Sequence, residues 1–491
     1  MHGAAGPGHD PKGGFAIAEP SAIIQNCCMT IWIPSRDDLK SPLHIGLSTV
    51  MAEAVDDGRL PIGTRLPPHR ALAKQLGLSV QTVSKAYDEL RRMGLVDGQV
   101  GRGTYVLDPG KASRQPFLME RGSQDIIDLS ISRPLYGAEH VARMRETLAA
   151  LSNSVDPEVY LACRPNIGLP AHRAAGLEWL KVCGLEVEQE SVVITNGVCH
   201  GLTTALASIA RPGDTVVCEH VTHHLINSIC SYLGIQLRGL EMDDEGVLPD
   251  AFEEACRRQK ITAYFAVPTI ANPTVGVMSE QRRRDLAAVA RRHEVLILED
   301  DAWGPVMENR PPPIASIAPD ITIYLTTFTK CIMPGLRAGY MVAPPRLLPA
   351  ITGRIIAFSW MATPLMGEVA TRWVSDGTAL DLVAWQRREL AERHAVVEET
   401  MEGLDWRGHP ASLHFWLRLP DRWDPASLLE HARARGVAIA SSQSFTAMES
   451  DIPNAVRIAV CGHEDASHLR RALQTIRDLL SNPREPLPQV L

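Results

Sequence analysis

The sequence predicts an α/β protein with a small, helix-rich N-terminal domain and a large C-terminal domain built on a mainly parallel sheet. At 491 residues the chain is too long for one ordinary core. From about residue 126 onward, amphipathic helical stretches alternate with short β-branched runs such as "SVVITNG", "DTVVCEH", "ITAYFAVP", "EVLILEDD" and "ITIYLTTF". Apolar runs between helices are typical of a parallel sheet covered on both faces.

The composition limits which cellular compartment and which binding partners we expect. The net charge is −8, so a nucleic-acid site, if present, must be local. Ten cysteines lie at irregular spacings without a CxxC pair, which favours free thiols in a reducing cytosol over disulfides or zinc. No run of 18 apolar residues occurs, so we expect no membrane span. We therefore expect a cytoplasmic protein.

Local composition predicts four segments. The start, "MHGAAGPGHDPKGG", is rich in Gly and Pro and lacks a signal-peptide pattern, which predicts a disordered leader over residues 1–36. A compact domain over residues 37–107 is followed by a linker of Pro, Gly, Ser and charged residues over 108–125. The large domain takes residues 126–491. Its last part, from about Met341, carries "SLHFWLRLP" and "AVRIAVCG" and predicts a smaller α+β subdomain.

The small domain has the pattern of a winged helix-turn-helix. In "PPHRALAKQLGL" the residues Leu72, Ala73 and Leu76 form one helical face, and Gly77 is a typical helix end. We expect Ser79 to cap the next helix, whose stripe of Val83, Ala86, Tyr87 and Leu90 has helical spacing. The stretch "GLVDGQVGRGTYV" predicts a hairpin with Arg102 at its tip.

Exposed polar residues of this domain are candidates for DNA contact. Residues 41–106 hold eight Lys/Arg against six Asp/Glu, a net charge of +2, so a few placed contacts must supply the affinity. Gln81 and Lys85 face outward early in the second helix and suit base edges, whereas Arg70 and Arg102 suit phosphates or the minor groove. The candidate DNA-binding residues are Arg70, Ser79, Gln81, Thr82, Lys85 and Arg102.

Nearly the whole small domain, "GRLPIGTRLPPHRALAKQLGLSVQTVSKAYDELRRMGLVDGQVGRGTYV", resembles the winged helix-turn-helix of GntR-type transcription factors. The resemblance implies DNA as a partner and a second helix that enters the major groove. The family usually has Arg after the capping Ser, where this chain has Val80. Val80 is expected to touch a thymine methyl instead. A small helical domain that binds protein is the alternative.

The stretch "TTFTKCIMPGLRAGY", residues 326–340, presents one lysine, Lys330, among hydroxyl residues. A lysine that attacks an aldehyde is what pyridoxal phosphate chemistry requires. That cofactor also needs an acid at its ring nitrogen and a donor at its ring oxygen. Asp300 ends the buried run "LILEDDAWG", and Asn272 lies in the loop "IANPTVG". Both are candidates for these two positions.

Phosphate ligands are also available in the sequence. The stretch "ITNGVCHGL" leads from a strand through Gly197 into a helix, whose first N–H groups have no partner within the helix and favour an anion. The side chains of Thr327, Thr329 and Arg337 flank Lys330 and can complete the site, Arg337 through charge-assisted hydrogen bonds.

Taken in order, "ANPTVG", "LEDDAWG", "TTFTK" and "PGLRAGY" resemble the core of fold-type I aminotransferases, over nearly all of the large domain. The resemblance implies a PLP-dependent transferase fold with Lys330 as the residue that forms the internal aldimine. It assigns Asp300 to the ring nitrogen and Asn272 to the ring oxygen. It assigns Arg457, in "NAVRIAV", to a substrate carboxylate, and Tyr160 to the phosphate in a neighbouring subunit.

The sequence departs from that family at four cofactor positions. His223 stands where an aromatic residue, often Tyr, stacks on the ring, and Trp303 replaces a tyrosine hydroxyl with an indole N–H. Val198 and Cys199 occupy phosphate-loop positions where polar residues are common. We therefore expect cofactor binding to be retained and turnover to be slow. The adjacent histidines His223 and His224 could also suggest a metal, but no third ligand follows in sequence.

A GntR-type head fused to an aminotransferase-type body resembles the MocR regulators (GabR-like). The resemblance implies a cytoplasmic, PLP-binding transcription factor that acts as a head-to-tail homodimer on operator half-sites. An amino-compound effector would displace Lys330 to form an external aldimine and so reposition the heads. Two alternatives remain open. The first is a working aminotransferase with a vestigial head. The second is a DNA-binding module whose body is a scaffold without cofactor.

Overall fold

The computed structural model divides between residues 118 and 119 into two compact units, here called the head and the body. Each is described by itself. The structure describes residues 32–40, 42–61, 63–92, 95–99, 103–106, 126–161, 163–447, 451–461 and 466–481. The expected linker over 108–125 lies outside these residues, and so does the expected leader as far as residue 31.

The head contains three helices and a hairpin: α1 (Leu43–Asp56), α2 (His69–Leu76), α3 (Val80–Arg92), β1 (Val96–Gln99) and β2 (Gly103–Val106). The two strands pair in antiparallel register. The segment that precedes α2 lines the other edge of β2, since two of its amides donate to β2 carbonyls at 2.7 and 2.9 Å. The predicted winged helix-turn-helix is confirmed.

The turn between α2 and α3 forms for the reasons that the sequence indicates. Gly77 ends α2 in the left-handed region at φ 60°, a conformation that glycine adopts without a steric penalty. The Ser79 hydroxyl accepts a hydrogen bond from the Thr82 amide at 3.0 Å, so the predicted cap of α3 is present. The predicted stripe of α3 is fully buried: Val83, Ala86, Tyr87 and Leu90.

Residues 32–36, which the sequence places in the leader, pack against the head. Trp32 and Ile33 contact its core, and Trp32 also lies under the Arg59 guanidinium at 4.5 Å. Arg36 donates to the carbonyls of Leu76, at 3.0 Å, and of Gly77. Apolar residues this close to the first helix add to the head core, which composition alone did not reveal.

The body carries fifteen strands in the described residues. They are β3 (Ile127–Asp128), β4 (Val192–Thr195), β5 (Thr215–Glu219), β6 (Gln236–Leu240), β7 (Met242–Asp243), β8 (Gly246–Val247), β9 (Ala263–Ala266), β10 (Leu296–Asp300), β11 (Thr322–Thr327), β12 (Gly339–Val342), β13 (Trp406–Arg407), β14 (His414–Arg418), β15 (Val437–Ala438), β16 (Ala440–Ser441) and β17 (Ala455–Ala459).

Seven of these strands form the main sheet in the order β4-β12-β11-β10-β9-β5-β6. Strand β12 runs antiparallel to both neighbours, and the other pairs are parallel. Alternate residues of the strands pack into two different hydrophobic clusters, Val216 into one and Val217 into the other. This mainly parallel sheet, buried on both faces, is the predicted architecture.

The helices of the body cover the sheet and connect its strands. They are α4 (Ala138–Ser154), α5 (Pro157–Leu161), α6 (Pro170–Val182), α7 (Val198–Ile209), α8 (Leu225–Tyr232), α9 (Pro249–Arg258), α10 (Glu280–Arg292), α11 (Ile314–Ile317), α12 (Leu348–Ser359), α13 (Pro364–Ser375), α14 (Thr378–Thr400), α15 (Pro425–Ala434) and α16 (Ala466–Ser481). In the described residues, no helix is long and apolar enough to cross a membrane.

A smaller lobe follows the main sheet, as predicted. It contains a four-stranded sheet in the order β13-β14-β17-β16, whose three pairings are antiparallel. Strand β3, from the start of the body, pairs with β15, so the first body residues belong to this lobe. Helix α14 packs against residues 304–306 of the large lobe and against α16 of the small lobe.

Candidate cofactor and DNA-binding sites

The main sheet brings the predicted cofactor residues to one edge. Strands β4, β10 and β11 end at the same edge because they are parallel, and β12 starts there. Thr195, Thr327 and Gly339 lie side by side in the register. Asp300 ends β10, and Lys330 lies in the turn that follows β11. Such an edge is where open α/β sheets bind ligands.

Lys330 is placed to act as a nucleophile. Its Nζ donates to the Ser132 carbonyl at 2.6 Å and lies 5.8 Å from the centre of the Trp303 ring. Burial, together with the positive charge of Arg457, lowers the pKa of Lys330 to about 8. A larger fraction of this amine is therefore neutral near pH 7 than for an ordinary lysine, and the neutral amine is the reactive form.

Asp300 is buried beside His223, and no cationic side chain of the described residues lies within hydrogen-bond distance of it. Its Oδ1 accepts from the Ala302 amide at 3.2 Å, and its Oδ2 lies 3.7 Å from the His223 Nδ1. Burial raises the pKa of Asp300 to about 7. His223 Nδ1 is buried and makes no hydrogen bond with any described residue. A protonated ring nitrogen would provide the charged partner that Asp300 lacks.

The predicted phosphate residues line a small cradle. Gly197 precedes α7 at φ 83°, and a Cβ at this position would lie 3.2 Å from the Arg337 Nη2 and 3.5 Å from the Thr327 Oγ1. The Thr327 Oγ1 also accepts from the Thr329 amide at 3.1 Å. The first N–H groups of a helix have no partner within it, so the start of α7, which includes Cys199, suits an anion at this cradle. The structure therefore brings Gly197, Thr327, Thr329 and Arg337 close together, and their role as phosphate ligands stays a prediction.

Asn272 and Arg457 are joined across the two lobes. The Arg457 Nη1 donates to the Asn272 Oδ1 at 3.1 Å, and its Nη2 donates to the Ser130 carbonyl. The guanidinium lies 4.5 Å from the centre of the Phe445 ring. Burial lowers the pKa of Arg457 to about 10, so it is still a cation at neutral pH. Its Nε makes no hydrogen bond with any described residue.

Uncharged aromatic side chains fill the rest of the site. The rings of His223 and His224 meet edge to face at 4.7 Å, and burial lowers the pKa of His224 to about 3. Trp303 packs edge-on against His414 at 5.8 Å. Over the part of the chain that the structure describes, no group of three or more His, Cys, Asp or Glu side chains could hold a metal ion.

The structure leaves two of the predicted cofactor residues exposed, Arg337 and Tyr160, and only Tyr160 is expected to act in a second subunit. It lies on α5 with 61% of its surface exposed, beside Leu161, which is 70% exposed. The expectation that Tyr160 reaches the phosphate of a second subunit therefore stays a prediction. Sequence reasoning missed His414, whose signal was a polar residue inside the apolar run "SLHFWL".

In the head, α3 presents its predicted polar face. Gln81 and Lys85 are exposed, and so is Val80, at 46%. Thr82 is half-buried, and its hydroxyl lies 2.8 Å from the Ser79 hydroxyl, so both hydroxyls already take part in the helix cap. Arg70 is exposed on α2. The predicted wing-tip contact, Arg102, lies outside the described residues.

Comparison with known proteins identifies the two units. The body matches the family model for aminotransferase class I and II over residues 124–476. The chain belongs to that family. The head matches the model for bacterial regulatory proteins of the gntR family over residues 48–106. The union of the two is the MocR arrangement that the sequence indicates, and a GntR-type head is a DNA-binding domain.

Relatives share both units. The uncharacterized HTH-type transcriptional regulator YdeF of Bacillus subtilis is 27% identical over 455 residues, which cover 92% of this chain and 97% of the relative. The HTH-type pyridoxine biosynthesis transcriptional regulator PdxR of Corynebacterium glutamicum is 26% identical over 373 residues, covering 73% and 78%. The chain is therefore similar to regulators along nearly its whole length.

Solved structures show the same body fold. The kynurenine aminotransferase of Pyrococcus horikoshii superposes with a TM-score of 0.67 at 24% identity, over 75% of this chain and 97% of that chain. LysN, the α-aminoadipate aminotransferase of Thermus thermophilus, superposes with a TM-score of 0.66 at 22% identity, over 73% and 92%. Family membership and the fit of the lysine, the buried acid and the anion cradle identify pyridoxal phosphate as the cofactor.

Proposed function

We propose that this chain is a PLP-dependent transcriptional regulator that senses an amino-acid-like effector at Lys330 and changes its binding to DNA. The observation that carries the proposal is the presence in one chain of an exposed recognition helix and a half-buried lysine whose pKa is lowered to about 8. The relatives named as transcriptional regulators support this function over an enzyme with an idle head.

The geometry of the site supports a proposed role for each cofactor residue. Bound pyridoxal phosphate supplies an aldehyde carbon that Lys330 holds and that an incoming amine can take over. Asp300 keeps the ring nitrogen protonated, and Asn272 donates to the ring oxygen. His223 stacks on the ring more weakly than a tyrosine does, and Trp303 packs beside Lys330.

The phosphate is held by backbone and side-chain donors together. We expect the N–H groups at the start of α7 to donate to the phosphate, next to the space that Gly197 leaves open. Tyr160 of a second copy completes the cup, which is why we propose a homodimer. The phosphate ligands on this chain are Gly197, Val198, Cys199, Thr327, Thr329 and Arg337.

The effector carries both an amine and an acid group. With the cofactor bound, the effector amine would take the place of Lys330, whose lowered pKa would make the lysine a good leaving amine as well as a good nucleophile. Arg457 binds the carboxylate with the fork geometry of a guanidinium, because it is a buried cation whose Nε has no hydrogen bond in the described part of the site.

DNA recognition is divided between two kinds of contact. Gln81 and Lys85 read base edges, where Gln suits adenine and Lys suits guanine, and Val80 touches a thymine methyl. Arg70 and Arg102 contact phosphate or the minor groove. The cap pair of Ser79 and Thr82 orients the helix at the DNA surface. A cytoplasmic location follows from this role.

Slow turnover would distinguish the proposed regulator from the alternative function, an aminotransferase with a vestigial head. The intact set of Lys330, Asp300, Asn272 and Arg457 favours that alternative, whereas the His223 and Trp303 departures count against it. The test is an ultraviolet–visible spectrum of the purified protein before and after a panel of amino acids is added. We expect a visible band that shifts with some amino acids and little keto-acid formation.

Two outcomes of that experiment decide against the proposal. Sustained keto-acid-dependent turnover in the ordinary enzyme range of ~1–10³ per second would make the chain an aminotransferase. A protein that shows no visible band after incubation with pyridoxal phosphate would have a body that acts as a scaffold alone.

A further inference from the structure

Gln386 ties the backbone of Lys330 to helix α14. Its Nε2 donates to the Lys330 carbonyl at 2.8 Å, and its side chain is fully buried. The Oε1 of the same amide is also buried and has no hydrogen bond with any described residue. A half-satisfied amide in a core costs stability, so apolar packing does not explain this side chain.

The position of Gln386 in its helix also argues against a role in apolar packing alone. Leu382, Gln386, Leu390 and Val397 lie on the buried stripe of α14, at spacings that place them on one face of a helix. The buried residues one turn before and one turn after Gln386, Leu382 and Leu390, are apolar, so an apolar residue would be expected at 386 as well. The one contact that a leucine could not make is the hydrogen bond to Lys330.

The same helix also contacts the other site segments. Arg387 donates to the carbonyls of Pro305 and Val306, at 2.7 and 2.9 Å, in the turn that follows Trp303. Arg393 donates to the Val460 carbonyl at 3.2 Å, just beyond the strand that carries Arg457. His394 Nε2 lies 2.8 Å from the Ser412 carbonyl, just before His414.

These contacts reach main-chain atoms, so they fix the position of a segment whatever its side chains do. An α-helix of this length is a rod of about 34 Å, and α14 packs against both lobes. It is therefore the element on which the lysine turn, the Trp303 turn and the effector-binding strand all converge.

We infer that Gln386 is a positioning residue for Lys330, through which α14 responds when the lysine side chain is released. With the lysine held, the hydrogen bond fixes the turn at residues 329–332 against the helix. When an amine takes over the cofactor, the turn is free to move, and Gln386 transmits that movement to a helix that spans the lobes. This inference rests on the proposed sensing of amines at Lys330.

The test compares Gln386→Met with Leu390→Met. Methionine keeps nearly the volume of glutamine and removes the donor, and Leu390 lies one turn further on the same helix, fully buried, without a polar role. Both variants are first checked for folding by thermal unfolding. Hydrogen exchange is then measured in the cofactor-free proteins, where we expect Gln386→Met to speed exchange in residues 329–333 at least tenfold and Leu390→Met to leave it unchanged.

A second arm uses the holo-proteins with aminooxyacetate, a probe with a nucleophilic amine and a carboxylate, and a DNA duplex selected by the protein from a random pool. Gln386→Met should keep the visible band and its loss on adding the probe, while the probe-induced change in DNA affinity falls at least threefold. Unchanged exchange, or a full DNA response, in a folded Gln386→Met would overturn the inference. A wild-type protein without band or DNA response would overturn the proposed function, while the exchange arm would still decide whether Gln386 positions the lysine turn.

Discussion

The head and the body place their functional side chains in opposite environments. In the head, Gln81 and Lys85 stand exposed on the outer face of α3. In the body, Asp300 and Arg457 are buried and Lys330 is half-buried, and burial changes the pKa of all three. A short sequence window is therefore enough to describe the head site, whereas the body site depends on residues brought together from across the chain.

This difference has an energetic consequence. Exposed contacts that act separately on a ligand contribute nearly additively, whereas side chains that share hydrogen bonds in a core do not. Arg457 and Asn272 are hydrogen-bonded to each other, so one cannot be changed without changing the surroundings of the other. We expect substitutions in the body to have the larger and less additive effects.

The largest effect is expected at Asp300. Asp300→Asn replaces the proposed ionised partner of the ring nitrogen by a neutral one, and a hydrogen bond to a charged group is worth about 1.5–3 kcal/mol. The affinity for pyridoxal phosphate should fall by roughly 10- to 100-fold, measured by absorbance titration. An unchanged affinity would mean that Asp300 does not face the ring nitrogen.

The same variant has a pH signature without cofactor. The pKa of Asp300 is raised from its ordinary 3.8 to about 7, so its contribution to stability is fully present below about pH 4 and is lost as the pH rises through 7. The Asp300→Asn variant has no such loss of stability as the pH rises. The unfolding free energy of the wild type should therefore fall relative to that of the variant between pH 4 and 7, and the difference should then level off.

Arg457→Ala is expected to weaken effector binding by roughly 2 kcal/mol or more, because it removes a charge-assisted pair. Asn272→Ala and the double variant complete a cycle, whose coupling should lie at about 0.5–3 kcal/mol. Binding is read from the shift of the visible band with each amino acid. A simple amine without an acid group that works equally well on wild type and Arg457→Ala would contradict the assignment.

In the head, Lys85→Ala should cost about 1–3 kcal/mol at particular base pairs and flatten the preference there. The control is Gln81→Ala, which should act at a different base pair, because the two side chains lie one turn apart on α3. Selection from randomised duplexes gives the preference at each position. Equal losses on all sequences would make Lys85 a phosphate contact.

The smallest effect is expected from Arg70→Ala. A phosphate contact carries no sequence information, so affinity should fall about equally on all duplexes, and the slope of log affinity against log salt should drop by roughly one unit. Anisotropy titrations over a range of salt concentrations measure both. A change of base preference without a change of slope would move Arg70 into the base-reading group.

Short-range patterns predicted the head well. The stripe of α3, its Ser79 cap and the Gly77 helix end depend on residues within a few positions of one another, and the structure places them as expected. The packing of Trp32 and the clamp of Arg36 on the end of α2 were missed. Both are contacts with residues at least 27 positions away, and no local sequence pattern indicates them.

In the body, the sequence predicted the sheet and the segments of the site but not how they are held. The order of strands was not predictable from runs of apolar residues, and neither was the antiparallel β12. The Lys330 carbonyl meets Gln386 across 56 positions, and Arg457 meets Asn272 across 185. The lowered pKa of Lys330 arises from burial, which depends on the assembled fold.

The central claim is that the lysine site and the DNA-binding head act on one another, and one measurement addresses it directly. The affinity of the holo-protein for its selected duplex is determined with and without aminooxyacetate, for the wild type and for Lys330→Ala incubated with pyridoxal phosphate. The account predicts that the probe changes the wild-type affinity by about 5- to 150-fold, the range typical of coupled sites. It also predicts no change for Lys330→Ala, which should lack the visible band. A wild type with a visible band whose DNA affinity ignores the probe would contradict the account, and so would an equal response in both proteins.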